Sequence, residues 1–193
     1  METKVAKKKK ITETKKTVKD KKDKTKNLMR AIKLEKVVFN LGLKESGEVV
    51  ERVYKLAEKL TDSKPVRTKS TRKARTFRLR KGLDIGIKVT LRDEKAKKFL
   101  KKALTGVENK LKKSCFDNNG NVSFGIKEHL DIPGEEFDPT IGIFGFNINT
   151  TLTRGGFRIR RRKVKAKSIP TSIRIKQDES IDFFKKNYNV SLL

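Results

Sequence analysis

Residues 83–91, LDIGIKVTL, alternate without a break: Leu83, Ile85, Ile87, Val89 and Leu91 fall on one face, Asp84, Gly86, Lys88 and Thr90 on the other. That period belongs to a β-strand with one side in a core and one side outside it. Just before it, residues 64–81 (KPVRTKSTRKARTFRLRK) carry nine Lys or Arg and no carboxylate, with Pro65, Val66, Ala74, Phe77 and Leu79 as their apolar company. Such a loop cannot bury itself, and ordinary surfaces intersperse the two signs of charge. A loop that needs an anion is therefore anchored in a strand that needs a core.

Working outward, residues 32–41 (IKLEKVVFNL) read as a strand whose phase shifts near Lys36, with Val37, Phe39 and Leu41 on one face and Val38 and Asn40 on the other. Gly42 ends it. From Ser46, read as an N-cap with Glu48 in the first turn, Val49, Val53, Leu56, Ala57 and Leu60 recur at helical spacing. Asp93 is read as a second N-cap, followed by the best helical stripe in the chain, Ala96, Phe99, Leu100, Ala103, Leu104, Val107 and Leu111, with lysines on its polar side. Residues 116–120 (FDNNG) are turn chemistry. They lead into a strand with Val122, Phe124 and Ile126 on one side. Residues 144–153 (FGFNINTTLT) alternate again, Phe144, Phe146, Ile148 and Leu152 against Asn147, Asn149, Thr151 and Thr153. A helix over residues 178–188 closes the chain, with Ile181, Phe184 and Tyr188 available for docking. This order predicts an α+β fold in which helices cover one face of a largely antiparallel sheet.

Charge dominates the composition: 51 Lys and Arg against 23 Asp and Glu give +28 over 193 residues, with a pI near 10.3. So much self-repulsion calls for a polyanion, and nucleic acid is the leading partner. No apolar run approaches the roughly twenty residues of a membrane span, and no apolar segment follows the first lysines as a secretory signal requires. Residues 1–26 hold twelve lysines and four acids, a net +8 that leaves +20 on the rest, and so a disordered extension is expected over residues 1–27. Residues 28–193 are expected to form one domain with basic loops at 64–82 and 154–170. In the second of these, residues 154–167 (RGGFRIRRRKVKAK) have eight cations and no acid. The single cysteine, Cys115, excludes an internal disulfide.

The sheet face that no core claims would display Asn40, Lys88, Thr90, Asn147, Asn149 and Thr151. A polar sheet flanked by cationic loops suits an RNA helix, whose phosphates and 2′-hydroxyls lie across a shallow minor groove. Aromatic stacking platforms are absent from that face, which argues against single-strand readout. Catalytic alternatives find little support. Gly42 and Gly47 are spaced as in a phosphate loop, but Glu48 and Val49 stand where Lys and Ser or Thr would have to be. His129 is the sole histidine and has no second soft ligand nearby, so it reads as structural, and Cys115 reads as packing. Glu135, Glu136 and Asp138 form a solvated acidic loop, a weak Mg²⁺ holder, or a counterweight to a basic neighbour. An RNA-processing or RNA-modifying enzyme and a free RNA chaperone remain open as other uses of the same basic surface.

The motifs VVFNLGLKESGE (37–48), KPVRTKS (64–70), FRLRKGLDIGIKVTLR (77–92) and FDNNGNVSFGIKEHLDIPG (116–134) resemble the large-subunit ribosomal protein family counted as number five in bacteria and eleven in eukaryotes. The likeness runs from about Met29 to the C-terminus, and residues 142–170 (GIFGFNINTTLTRGGFRIRRRKVKAKSIP) resemble its archaeal and eukaryotic branch. The resemblance implies a cofactor-free, metal-free α+β protein of the cytoplasmic ribosome that binds 5S rRNA in the central protuberance. It implies 5S contacts for Asn40 and Thr90, with Lys88, Asn147 and Asn149 beside them on the expected face. The loop carrying Arg67, Lys69, Arg72, Lys73, Arg75, Arg78, Arg80 and Lys81 matches a hairpin that reaches peptidyl-site tRNA. Other large-subunit rRNA contacts are expected from Arg154, Arg158, Arg160, Arg161, Arg162 and Lys163. Neighbouring ribosomal proteins and the small-subunit head complete the implied partners. Two positions depart from the pattern: Ser63 stands where the family usually has Gln, and Asp93 where it usually has Gly.

Overall fold

The computed structural model describes residues 27–43, 47–73, 76 and 79–193. The lysine-rich extension up to residue 26, Ser46, Arg75 and Arg78 lie outside the described residues. Contacts group the described residues into two units, one of residues 34–153 and 175–193, the other of Arg154–Arg174 with residues 27–33.

The first unit is built on a five-stranded sheet. Strands β1 (Lys33–Gly42), β2 (Val66–Lys69), β3 (Asp84–Leu91), β5 (Asn121–Ile126) and β6 (Phe146–Thr153) lie in the order β2-β3-β1-β6-β5. The pairings β1 with β3, β2 with β3, and β5 with β6 are antiparallel. A two-residue strand β4 (Lys110–Leu111) pairs in parallel with β7 (Ser191–Leu192) near the C-terminus. Helices α1 (Glu48–Thr61), α2 (Asp93–Gly106) and α3 (Gln177–Tyr188) complete an α+β fold, as the order of sequence patterns predicts.

Alternation decides which side of the sheet is covered. Val37, Phe39 and Leu41 of β1, Ile87, Val89 and Leu91 of β3, and Val122, Phe124 and Ile126 of β5 are all buried, together with Phe146, Ile148 and Leu152 of β6. Helix α1 brings Val50, Val53, Leu56, Ala57 and Leu60 to this side, and α2 brings Ala96, Phe99, Leu100, Ala103 and Leu104. Phe39 sits at the junction, its ring 4.6 Å from that of Phe146 and 6.4 Å, edge-on, from that of Phe99. Such ring pairs contribute about 0.5–1.5 kcal/mol each beyond the area they bury. Helix α3 docks through Phe184, edge-on to Phe116 at 5.8 Å. The Gln177 side-chain amide fixes the helix start by donating to the carbonyls of Lys113 and Phe116.

Residues 66–69, read as part of a basic loop, form β2, and local geometry departs from the sequence reading at three further places. Helix α1 begins at Glu48 after Gly47, whose φ of 100° supplies a turn without a side-chain cap, and the buried stripe starts at Val50 rather than Val49. Asp93 is the first residue of α2 instead of its cap, with φ 52°. Asp is among the few residues that tolerate this left-handed region, and Gly would meet no penalty there. The α2 stripe does not run on to Leu111. Glu108 and Asn109 both take positive φ and break the helix after Gly106, so Leu111 is buried from β4 instead.

Truncating the ring at the junction tests this account of the core. Phe39→Ala should lower unfolding stability by about 3–5 kcal/mol, read from urea transitions, and a loss near zero would show that the helices are held elsewhere. Asp93→Gly should change stability by less than about 1 kcal/mol. It relieves a left-handed strain of roughly 1 kcal/mol but removes an acid from the first helical turn, worth about 0.3–1 kcal/mol.

Candidate nucleic-acid interface

Among the described residues of the first unit, the side of the sheet opposite the helices is left open, and strand register arranges its side chains. Asn40 lies directly across from Lys88, which in turn faces Val66 of β2. Thr90 is two residues along from Lys88 on the same face, paired with Val38. On the other half of the sheet Asn147 pairs with Gly125, Asn149 with Ser123, and Thr151 with Asn121. Lys88, Thr90 and Asn147 are exposed, and Asn40, Asn149 and Thr151 are half-buried. Asn40, Asn147 and Asn149 meet at an open depression of about 380 Å³, which Ser123, Phe124 and Gly125 also line.

The structure thus brings Asn40, Lys88, Thr90, Asn147 and Asn149 onto one surface, as their alternation predicts. Sequence reasoning missed Ser123 and Gly125 as part of it. Their outward phase was legible, but nothing local said that β5 would lie beside β6. Two residues from Lys88 along β3, Gly86 packs closely between two strands. A Cβ there would stand 2.7 Å from the Leu41 carbonyl oxygen and 2.8 Å from Thr68 Oγ1.

Chemically, this is a field of amide, hydroxyl and ammonium groups on a shallow surface. Amides and hydroxyls both donate and accept, which suits 2′-hydroxyls and sugar edges, and Lys88 adds a point charge for a phosphate. Among the described residues Lys88 makes no ion pair.

The basic loop is a hairpin that continues the β2–β3 pairing. Ser70 N–H donates to the Leu83 carbonyl and Gly82 N–H to the Ser70 carbonyl, so the stem extends beyond the strands. Arg67 and Lys69 belong to the stem. Arg67 is tied to the body: its guanidinium lies 2.7 Å from Glu51, 4.0 Å from Asp84, and over the Tyr54 ring at 5.5 Å. Arg72, Lys73, Arg80 and Lys81 are exposed.

Arg154, Arg158, Arg160, Arg161, Arg162 and Lys163 all belong to the other unit and are described within it. Phe157–Arg160 form a single 3-10 turn. Arg154 donates to the Ile173 carbonyl at 3.3 Å and Arg162 to the Lys165 carbonyl at 2.8 Å, while Arg158, Arg160, Arg161 and Lys163 are exposed.

The remaining candidates have partners within the fold. His129 is buried, with its backbone N–H on the Phe144 carbonyl and its Nδ1 accepting from the Phe144 N–H at 3.5 Å. In the acidic loop Glu135 lies 3.6 Å from Lys59. The Thr140 hydroxyl and backbone N–H hold the Asp138 carboxyl below its usual range. No cluster of metal-ligating side chains occurs among the described residues, and no helix there is long and apolar enough to cross a membrane.

Gly86→Ala tests the close approach of β3 to β1 and β2. The clash with backbone cannot be relieved by a side-chain rotation, so a loss of about 1–3 kcal/mol is expected, with faster amide exchange in β2. A variant with unchanged stability and exchange would contradict the geometry.

Two family models match the chain: one for ribosomal protein L5 over residues 27–80, and one for the C-terminus of the same ribosomal family over residues 84–176. The large ribosomal subunit protein uL5 of Sulfolobus acidocaldarius is 50% identical over 170 residues, covering 88% of this chain and 96% of that protein. Its counterpart in Methanosphaera stadtmanae is 45% identical over 166 residues, covering 86% and 99%. The chain therefore belongs to the ribosomal protein L5 family, as an archaeal-type member with a structural, non-enzymatic character.

Proposed function

We propose that the protein is a structural constituent of the large ribosomal subunit in the cytoplasm, and that its open sheet face binds 5S rRNA and anchors it in the central protuberance. The observation that carries this reading is the uncovered polar face. Asn40, Lys88, Thr90, Asn147 and Asn149 form one shallow surface, exposed or half-buried among the described residues. A fold spends its apolar side on a core; a second side of amides and hydroxyls serves recognition of a folded polyanion by its backbone and sugars. Relatives named as large ribosomal subunit proteins support the large-subunit part of this reading.

The hairpin at residues 64–81 has a separate role in this reading. Arg67 holds the stem, and the cations toward the tip, Arg72, Lys73, Arg80 and Lys81 with Arg75 and Arg78, reach peptidyl-site tRNA. Residues 154–170 add contacts to large-subunit rRNA. Neighbouring proteins of the central protuberance and the small-subunit head complete the set of partners.

The double variant Asn40→Ala/Thr90→Ala should weaken 5S rRNA binding by about 2–3 kcal/mol. That is roughly one net hydrogen bond each, and more where the RNA group stays unpaired. Unchanged affinity in a filter-binding titration would remove both residues from the interface. Replacing residues 72–80 by a short Gly-Ser turn should leave 5S affinity within about twofold while reducing tRNA crosslinking in assembled subunits. Equal loss of both would contradict the division between sheet and hairpin.

A further inference from the structure

The helix-covered side of the first unit carries a second cationic surface. Helix α2 buries Ala96, Phe99, Leu100, Ala103 and Leu104 and exposes Lys95, Lys97, Lys98, Lys101 and Lys102. At 3.6 residues per turn these lysines point away from the sheet, on the side opposite Asn40 and Lys88. Two of them are engaged. Lys95 Nζ donates to the Asp62 carbonyl at 2.9 Å and to Ser63 Oγ at 3.4 Å, and Lys97 Nζ donates to Glu94 Oε1 at 2.7 Å. Among the described residues, Lys98, Lys101 and Lys102 make no hydrogen bond or ion pair through their ammonium groups.

Their spacing is unfavourable for the helix itself. Lys95 and Lys98, and Lys98 and Lys101, are three apart; Lys97 and Lys101, and Lys98 and Lys102, are four apart. Like charges at these separations repel and weaken a helix. An ordinary solvent face interleaves acids, and beyond the first turn of α2 none follows Glu94. Ammonium groups are compact point charges suited to phosphates rather than to two-pronged reading of base edges.

We propose that the outer face of α2, centred on Lys98, Lys101 and Lys102, is a second RNA-binding surface that grips the phosphate backbone of an RNA segment distinct from the one on the sheet. The first unit then binds RNA from two opposite sides. This inference goes beyond the sheet-face reading and does not depend on which RNA occupies the sheet.

The test uses the full chain and a random-sequence RNA duplex of about 16 base pairs, titrated over a range of KCl concentrations. Lys98→Gln/Lys101→Gln/Lys102→Gln should lower affinity at least tenfold and reduce the slope of log affinity against log salt by roughly two to three, about one for each phosphate no longer neutralised. Circular dichroism should show equal or higher thermal stability, since the repulsion within α2 is gone. The charge-matched variant Lys21→Gln/Lys22→Gln/Lys24→Gln should lose clearly less, and Asn40→Ala/Thr90→Ala should leave the salt slope unchanged. An unaltered slope in the α2 variant, or an equal loss in the charge-matched one, would overturn the proposal. Loss of 5S affinity in the sheet variant alone would leave the sheet reading standing while this one fell.

Discussion

The packing of two helices onto one side of a five-stranded sheet is the constraint from which the rest follows. Phe39 lies at its centre, fully buried between Phe146 and Phe99. Because successive side chains on a strand point to opposite sides, each apolar residue committed to that junction forces its neighbour outward. Phe39 sends Asn40 to the open face, Val89 sends Lys88 and Thr90, and Ile148 sends Asn147 and Asn149. The open polar face is thus the reverse side of the core. A one-residue slip in register would exchange the two.

The hairpin shows how cations with the same charge come to do different things. Nine of them sit in residues 64–81, yet Arg67 is drawn into a cluster with Glu51, Asp84 and Tyr54 where β2 meets α1. A planar guanidinium can meet carboxylates and an aromatic face at once, which fits it to hold the stem. Farther out, Arg72, Lys73, Arg80 and Lys81 are exposed. The stem is part of the fold, and the exposed cations are available to a ligand.

Several positions accept local cost for the sake of this arrangement. Gly86 gives up a side chain so that β3 can approach Leu41 and Thr68 closely. Asp93 takes a left-handed backbone to turn the chain from β3 into α2. Thr150 places a hydroxyl on the covered side of β6 at 1% exposure. The lysines of α2 repel one another along an exposed face. Each of these is a place where local preference and global fold disagree, and such disagreements concentrate where a protein is shaped for a partner.

By itself the sequence determined the class of fold, the side of β1, β3, β5 and β6 that is buried, and a strongly cationic character that suits a polyanion. Unbroken alternation at residues 83–91 and a charge of +28 leave few other readings. The sequence motifs also carried the family resemblance. Only the tertiary structure decided which strands are neighbours, and so that Ser123 and Gly125 join Asn40, Asn147 and Asn149 around one depression. It alone ended α2 at Gly106, gave Arg67 its partners, and separated the engaged Lys95 and Lys97 from the unengaged Lys98, Lys101 and Lys102. The physical reason is range. Side-chain phase and net charge are properties of consecutive residues, whereas strand order and ion pairing depend on residues dozens of positions apart that only folding brings together.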